Sequence, residues 1–211
     1  MVYSFSRAKV GIWIQFRGCG VLDMKYLDRL LQHWRIRVAA PYITPGASVL
    51  DIGSADGALF RKIPTLRDSV GIDPDLDHLN LPKLPGITFY QGFFPDVLPI
   101  PRTFDVIVML ATLEHVPAES LDALASACAA HLRPGGHLII SVPSPYVDHI
   151  LVVLKALRVI HGMATEQHYG FDVKQTPNIF VPRNFEPVVH RKFQLGMNNL
   201  FVFRRGSSAH S

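Results

Sequence analysis

The sequence predicts an α/β fold built on a mostly parallel, doubly wound sheet. Three observations carry that expectation. From Ser48 onward, strand-like and helix-like stretches alternate along the chain. The first strand-like stretch, SVLDIG, is continuous and apolar, as a strand buried on both faces requires, and FDVIVMLA is the most apolar of them. The order of the stretches, β-α-β-α-β-β-α-β, is that of parallel strands joined by crossovers. The chain has 211 residues, 48% hydrophobic and 18% charged, so one domain of ordinary size can bury a full core and global disorder is excluded.

Residues 1–23 differ from the rest of the chain. Val10, Ile12, Ile14 and Phe16 alternate as in a short strand, and Gly18 and Gly20 break the pattern. Two readings stay open: a native strand, or an extension upstream of a start at Met24. After Met24, Leu27, Leu30, Leu31, Trp34, Val38 and Tyr42 recur at helical spacing until Pro45-Gly46. Residues 1–45 therefore read as an N-terminal segment and helix, and 46–211 as the main domain.

SVLDIG is the first strand, GALFRKIP a helix stopped at Pro64, and SVGID the second strand. The crossover PDLDHLNLPKLPG holds three prolines, which keeps any helix there short. ITFYQG and FDVIVMLA are the third and fourth strands. PAESLDALASACAAHLRPGG is a helix with Pro117 near its first turn and Gly135 beyond its end. HLIISVP is the fifth strand. The stretch 147–161 reads as a helix apolar nearly all round, and 165–182 as loop. FEPVVHRKFQLG and NLFVFRR read as two strands joined tightly through Met197-Asn198.

Composition narrows the function classes. Two cysteines, Cys19 and Cys128, cannot build a disulfide framework, which suits a reducing compartment. The net charge is +4, but the basic residues are scattered and the densest cluster is only Arg204-Arg205, which argues against a nucleic-acid partner. No apolar run reaches the ~18–20 residues that span a bilayer. The run after Arg7 and Lys9 is at the lower limit for a signal peptide and no A-x-A site comes after it, so the expected location is cytoplasmic. No His, Cys or Asp spacing suggests a metal site.

The chemistry concentrates at strand ends. The first turn, Asp51-Ile52-Gly53-Ser54-Ala55-Asp56-Gly57, lets a ligand approach the backbone. It matches the dinucleotide pattern only weakly, through Gly53, Ala55 and Ala58. Asp51 and Asp56 would repel a pyrophosphate and attract a ligand carrying an ammonium and a sulfonium, as S-adenosylmethionine does. Asp73 ends the second strand, ~20 residues beyond the turn, where a carboxylate accepts ribose hydroxyls; the plainer reading is a cap on the next helix.

Together VLDIGSADG, VGIDPD, FDVIVMLATLEHV and LRPGGHLIISVPSP resemble the class I S-adenosylmethionine-dependent methyltransferases, nearest the small-molecule branch called type 11, over about residues 46–145. The resemblance implies a Rossmann-like sheet of seven strands, helices on both faces and the last strand antiparallel. It also implies S-adenosylmethionine as cofactor. Asp51 and Gly53 would face its methionine end, with Ser54, Ala55 and Gly57 in the turn. Asp73 would hold the ribose and Pro74 flank the adenine. Phe93 stands where the family often has an acid; it would pack on the ring, leaving Asp96 or a backbone carbonyl for the amino group. Leu110 and Ala111 would line the methionine pocket through their backbone.

Glu114-His115 matches an E-H pair common in this branch. His115 is either a general base or a structural residue that positions its loop. His168 is the second candidate base, with Glu166 and Asp172 to orient it. The stretch after the fourth strand, Leu110-Ala111-Thr112-Leu113, lacks the N/D-P-P-Y/F pattern of enzymes acting on exocyclic base amines. The implied function is methyl transfer to an oxygen, carbon or nitrogen of a small-molecule or lipid-linked acceptor. The alternatives are a non-catalytic nucleoside-binding module and a nicotinamide-dependent oxidoreductase. Helix 147–161 is open to three uses: core packing, a dimer interface or lid, and contact with a membrane surface.

Overall fold

Continuous apolar runs become the central strands, where both faces are covered, and more exposed strands flank them. Among the described residues the strands are β1 (Val49–Ile52), β2 (Ser69–Asp73), β3 (Ile87–Gln91), β4 (Phe104–Leu110), β5 (Leu132–Pro143), β6 (Phe185–Phe193) and β7 (Asn198–Arg205). The helices are α1 (Met24–Ala39), α2 (Ala58–Lys62), α3 (Leu121–His131) and α4 (Thr176–Phe180). The computed structural model describes residues 24–76, 81–98, 102–144 and 171–207. The strand expected over 10–16, the helix over 147–161, and both Glu166 and His168 lie outside the described residues.

The strand order is β3-β2-β1-β4-β5-β7-β6. β1 to β5 pair in parallel, and β7 is antiparallel to both of its neighbours. The expected seven strands with an antiparallel last strand are what the chain forms. β1 lies between β2 and β4, where the crossovers change direction and ligands settle at the carboxyl ends of the strands.

Alternating side chains divide the core between two faces. Leu50, Val70, Ile72, Ile107, Met109, Leu138, Ile140, Phe201 and Phe203 pack beneath α3 and α4. Val49, Val106, Val108, Ile139, Leu200 and Val202 pack beneath Ile36, Val38 and Ala39 of α1 and Leu59 and Phe60 of α2. By the same alternation Asp51, Asp73, Leu110, Pro143 and Asn198 lie on the α1 side, at the carboxyl edge.

The structure departs from the sequence reading at five places. α1 buries Ile36, Val38 and Ala39 instead of the whole expected stripe, leaving Leu30 60% and Trp34 41% exposed. β5 begins at Leu132, five residues early. Leu132 pairs with Phe104, and the register then shifts so that His137 pairs with Val106. Gly135, at φ +77°, lies inside that irregular stretch and not in a loop. Pro117 precedes a 3-10 turn (Ala118–Ser120) ahead of α3. The segment read as loop holds a helical passage from Val173 to Arg183 that includes α4, fixed by Phe180 packed on Phe185 and Phe203. The hairpin turns through Gln194–Met197, with Gln194, Leu195 and Gly196 all at positive φ, so Asn198 already belongs to β7.

Candidate active site

The turn after β1 is held by its own backbone and by Asp73. Gly53 and Ser54 donate their N–H groups to the Ile72 carbonyl at 2.8 and 3.2 Å, and Gly57 donates to the Ser54 carbonyl at 2.7 Å. Ala55 N–H donates to Asp73 Oδ2 at 2.9 Å. Asp73 Oδ1 accepts from Asp75 N–H at 2.8 Å. Asp73 thus ties β2 to the turn and also caps the chain just beyond its own strand. Each carboxylate oxygen keeps a lone pair for a ligand.

Gly53 is required on two counts. Its φ is +82°, and a Cβ there would stand 2.2 Å from Thr112 Oγ1. Thr112 uses that hydroxyl to donate to the Ile52 carbonyl at 3.1 Å, joining the loop after β4 to the end of β1. Ala55 takes φ +44° without a glycine.

Asp51 lies deepest. It is 5% exposed and pairs with Gly71 on one side and Val108 on the other. Burial first, then the nearby Asp73 and Asp56, push its carboxyl up to about 8. It is therefore protonated at neutral pH and strongly inclined to ionise beside a cation. Asp56 differs from the sequence reading: it pairs with Arg61, caps Ala58 N–H at 3.2 Å and accepts from Gln32 Nε2 at 3.0 Å. Its charge is paired with Arg61, and with Asp51 protonated the negative field at the turn comes from Asp73 and, beyond that ion pair, from Asp56.

The remaining expected residues fall at the rim. Pro74 is exposed, and its carbonyl accepts from Gln91 Nε2 at 3.1 Å. Phe93 is next to Gly92 and is 70% exposed, so no packed wall surrounds its ring. Asp96 is exposed too. Leu110 is half-buried; Ala111 N–H is committed to Ser141, to its carbonyl at 3.0 Å and its hydroxyl at 3.1 Å. In the 3-10 turn Leu113–His115, Glu114 is 4% exposed whereas His115 faces solvent.

Sequence reasoning missed the part played by α1. Gln32 reaches Asp56, the Leu31 carbonyl accepts from Gln194 Nε2 at 3.1 Å, and Arg35 lies in the field of Glu114 and Asp28. Burial lowers the Arg35 guanidinium, and those two carboxylates oppose the shift. α1 thus spans the carboxyl edge from the first turn to the β6–β7 turn. The i, i+3 spacing of Gln32 and Arg35 was the available signal. Among the described residues, no group of three or more His, Cys, Asp or Glu side chains is placed to hold a metal ion.

The donor set suits a cationic nucleoside. The carboxylate of Asp73, with Asp56 nearby and a buried Asp51 that ionises beside a cation, fits an ammonium or sulfonium and opposes a pyrophosphate. The Ser54 hydroxyl, 4% exposed and with no hydrogen-bond partner, leaves a polar atom in the turn for such a ligand. Asp51, Asp73 and the turn would hold it.

A sheet of this order with an acidic carboxyl edge defines the Rossmann-like S-adenosylmethionine-dependent class. The model of the methyltransferase-domain family matches residues 24–191, and the chain belongs to that family. It is similar to the ubiquinone biosynthesis O-methyltransferase of Colwellia psychrerythraea, with 30% identity over 121 residues, 53% of this chain and 48% of the relative. The corresponding enzyme of Cupriavidus pinatubonensis is 27% identical over 141 residues, 63% of this chain and 56% of the relative. The chain thus spans about half the length of the curated relatives it matches. Among solved structures, magnesium protoporphyrin IX methyltransferase from Synechocystis, with bound S-adenosylhomocysteine, superposes with a TM-score of 0.59, 18% identity and 90% of each chain covered.

Proposed function

We propose that this chain transfers a methyl group from S-adenosylmethionine to a hydroxyl oxygen of a small-molecule acceptor. The observation that carries the reading is the acid pair at the switch point: Asp51, buried and protonated, beside Asp73, whose carboxylate keeps free lone pairs at the end of β2. The family match supports methyl transfer over the nicotinamide alternative, and the names of the curated relatives support oxygen as the acceptor atom.

When bound, the cofactor supplies a methyl group already activated by its sulfonium. The protein's work is to hold the two reactants in line and exclude water. Asp73 takes the ribose hydroxyls, and Asp51 gives up its proton to face the ammonium. Arg35, half-buried on α1, faces the methionine carboxylate. α1, held at Gln32 and Leu31, closes the site from above. His115, at the mouth of the site, takes the proton of the acceptor hydroxyl.

The test is an acceptor screen that tracks conversion of S-adenosylmethionine to S-adenosylhomocysteine with simple phenols and catechols, no partner protein added. Turnover is expected with at least one hydroxylated acceptor. His115→Gln should lower kcat and remove the acid limb of its pH profile while leaving cofactor affinity intact. Turnover only with a second protein, or with amines alone, would refute the reading.

A further inference from the structure

We propose that the side-chain oxygen of Asn198 selects the methyl acceptor, taking a hydrogen bond from a hydroxyl or N–H group next to the atom that is methylated. This rests on the methyltransferase reading above and adds the chemical class of acceptor.

The direction of each hydrogen bond is set by the Leu31 carbonyl, which can only accept. Gln194 must therefore turn its Nε2 toward it, as it does at 3.1 Å. That leaves Gln194 Oε1 facing Asn198, and Asn198 donates its Nδ2 to it. Asn198 Oδ1 is then left over. Asn198 is 4% exposed, Gln194 is 1% exposed, and Oδ1 has no hydrogen-bond partner. A buried acceptor without a donor is uncommon in a folded protein and marks a place for one. The choice of oxygen over nitrogen at this spot comes from the carbonyl and not from the shape of the amide.

The next residue is the internal control. Asn199, pointing to the other face, has a partner at both ends of its amide: its Nδ2 donates to Ser144 Oγ at 2.9 Å and its Oδ1 pairs with His190 Nε2 at 3.2 Å. Ser144 Oγ in turn donates to the Gly196 carbonyl at 2.7 Å. Two adjacent asparagines thus differ: Asn199 serves the fold, and Asn198 holds an acceptor in reserve.

Position supplies the rest. Asn198 pairs with Pro143 at the end of β5 and shares the α1 side of the carboxyl edge with Asp73, Asp51 and Leu110. The cofactor reading uses β2, β1 and β4. Asn198, on β7, is three strand spacings from Asp51, about 14 Å. That separation matches the length of a ring-sized acceptor set against the methionine end of the cofactor. A neutral amide oxygen cannot take up a proton here, so Asn198 orients the acceptor and is not its base. It favours diols, catechols and amino-substituted phenols over ethers and esters.

The test uses catechol and 1,2-dimethoxybenzene as probes, titrated in the presence of saturating S-adenosylhomocysteine. Wild type should bind catechol about tenfold more tightly, the worth of one buried hydrogen bond. Asn198→Leu should erase that preference with S-adenosylhomocysteine affinity unchanged. No preference in the wild type would overturn the proposal. So would a preference that survives in Asn198→Leu, or in Asn198→Ala should the leucine variant fail to bind S-adenosylhomocysteine. Failure of wild type to bind S-adenosylhomocysteine would instead sink the methyltransferase reading, and this proposal with it.

Discussion

Replacing Asp51 with asparagine should uncouple cofactor binding from pH. Burial and two neighbouring acids push the Asp51 carboxyl up to about 8, so the free protein holds a proton there at neutral pH. Binding a cation requires that proton to leave. The apparent Kd then carries a factor of one plus ten to the power of the pKa minus the pH, about 2 at pH 8 and about 100 at pH 6. Affinity for S-adenosylhomocysteine should fall roughly fiftyfold from pH 8 to pH 6, with close to one proton released per ligand at pH 7. Asp51→Asn should bind more weakly at pH 8 and lose the slope, and the ligand's own titration is common to both proteins. Stability should show the reverse linkage. A carboxyl raised above its unfolded value keeps a proton in the folded state that the unfolded chain has released, so its contribution falls as pH rises toward 8. Relative to the variant, the apoprotein should lose roughly 1 kcal/mol per pH unit between pH 5 and 7. Calorimetry in buffers of different ionisation enthalpy reads the proton count, and urea midpoints read the stability. A wild-type Kd that is flat between pH 6 and 8, or an equal slope in Asp51→Asn, would refute this assignment.

Other perturbations act through separate contacts. Asp73→Ala removes the partner of both Ala55 N–H and Asp75 N–H, so the turn loosens and S-adenosylhomocysteine affinity should drop at least tenfold by calorimetry. Gly53→Ala puts a methyl 2.2 Å from Thr112 Oγ1 at a φ of +82°, and backbone strain plus the lost Thr112 hydrogen bond should cost about 2–3 kcal/mol in urea unfolding. Phe180→Ala empties a fully buried site against Phe185 and Phe203 and should cost about 3–5 kcal/mol by the same assay, with cofactor affinity conserved once folded. The Cys128 thiol, fully buried and pushed up to about 12, should resist alkylation until the protein unfolds, read by mass spectrometry of its peptide.

Much of the fold was legible because β1 to β4 are apolar runs with turn residues at both ends, a signal that needs no tertiary context. β5 was legible only from His137, because Arg133-Pro134-Gly135-Gly136 reads as the end of the preceding helix; the early pairing of Leu132 with Phe104 becomes visible only across strands. α4 is five residues long and carries Pro177, so its helical state depends on Phe180 packing and not on propensity. The stripe of α1 misled for a related reason: the sheet covers the Ile36, Val38 and Ala39 side, and the sequence cannot say which apolar face meets it. At the candidate site, the closeness of Asp51 and Asp73 was legible because their spacing is fixed by one βαβ unit. Arg35, Gln32, Gln194 and Asn198 were not. The first two lie on α1 and the last two at the β6–β7 turn, far apart in the chain, and these elements meet, through Leu31 and Gln194, only after β7 has inserted beside β5 and α1 has crossed the edge.

Calorimetric titration of the purified chain with S-adenosylhomocysteine, with NADH as the comparison ligand, puts the cofactor assignment to its plainest test. Micromolar binding of S-adenosylhomocysteine at pH 8 and none of NADH is expected, since the acids at the switch point attract an ammonium and repel a pyrophosphate. Binding of NADH, or of neither ligand, would contradict the assignment.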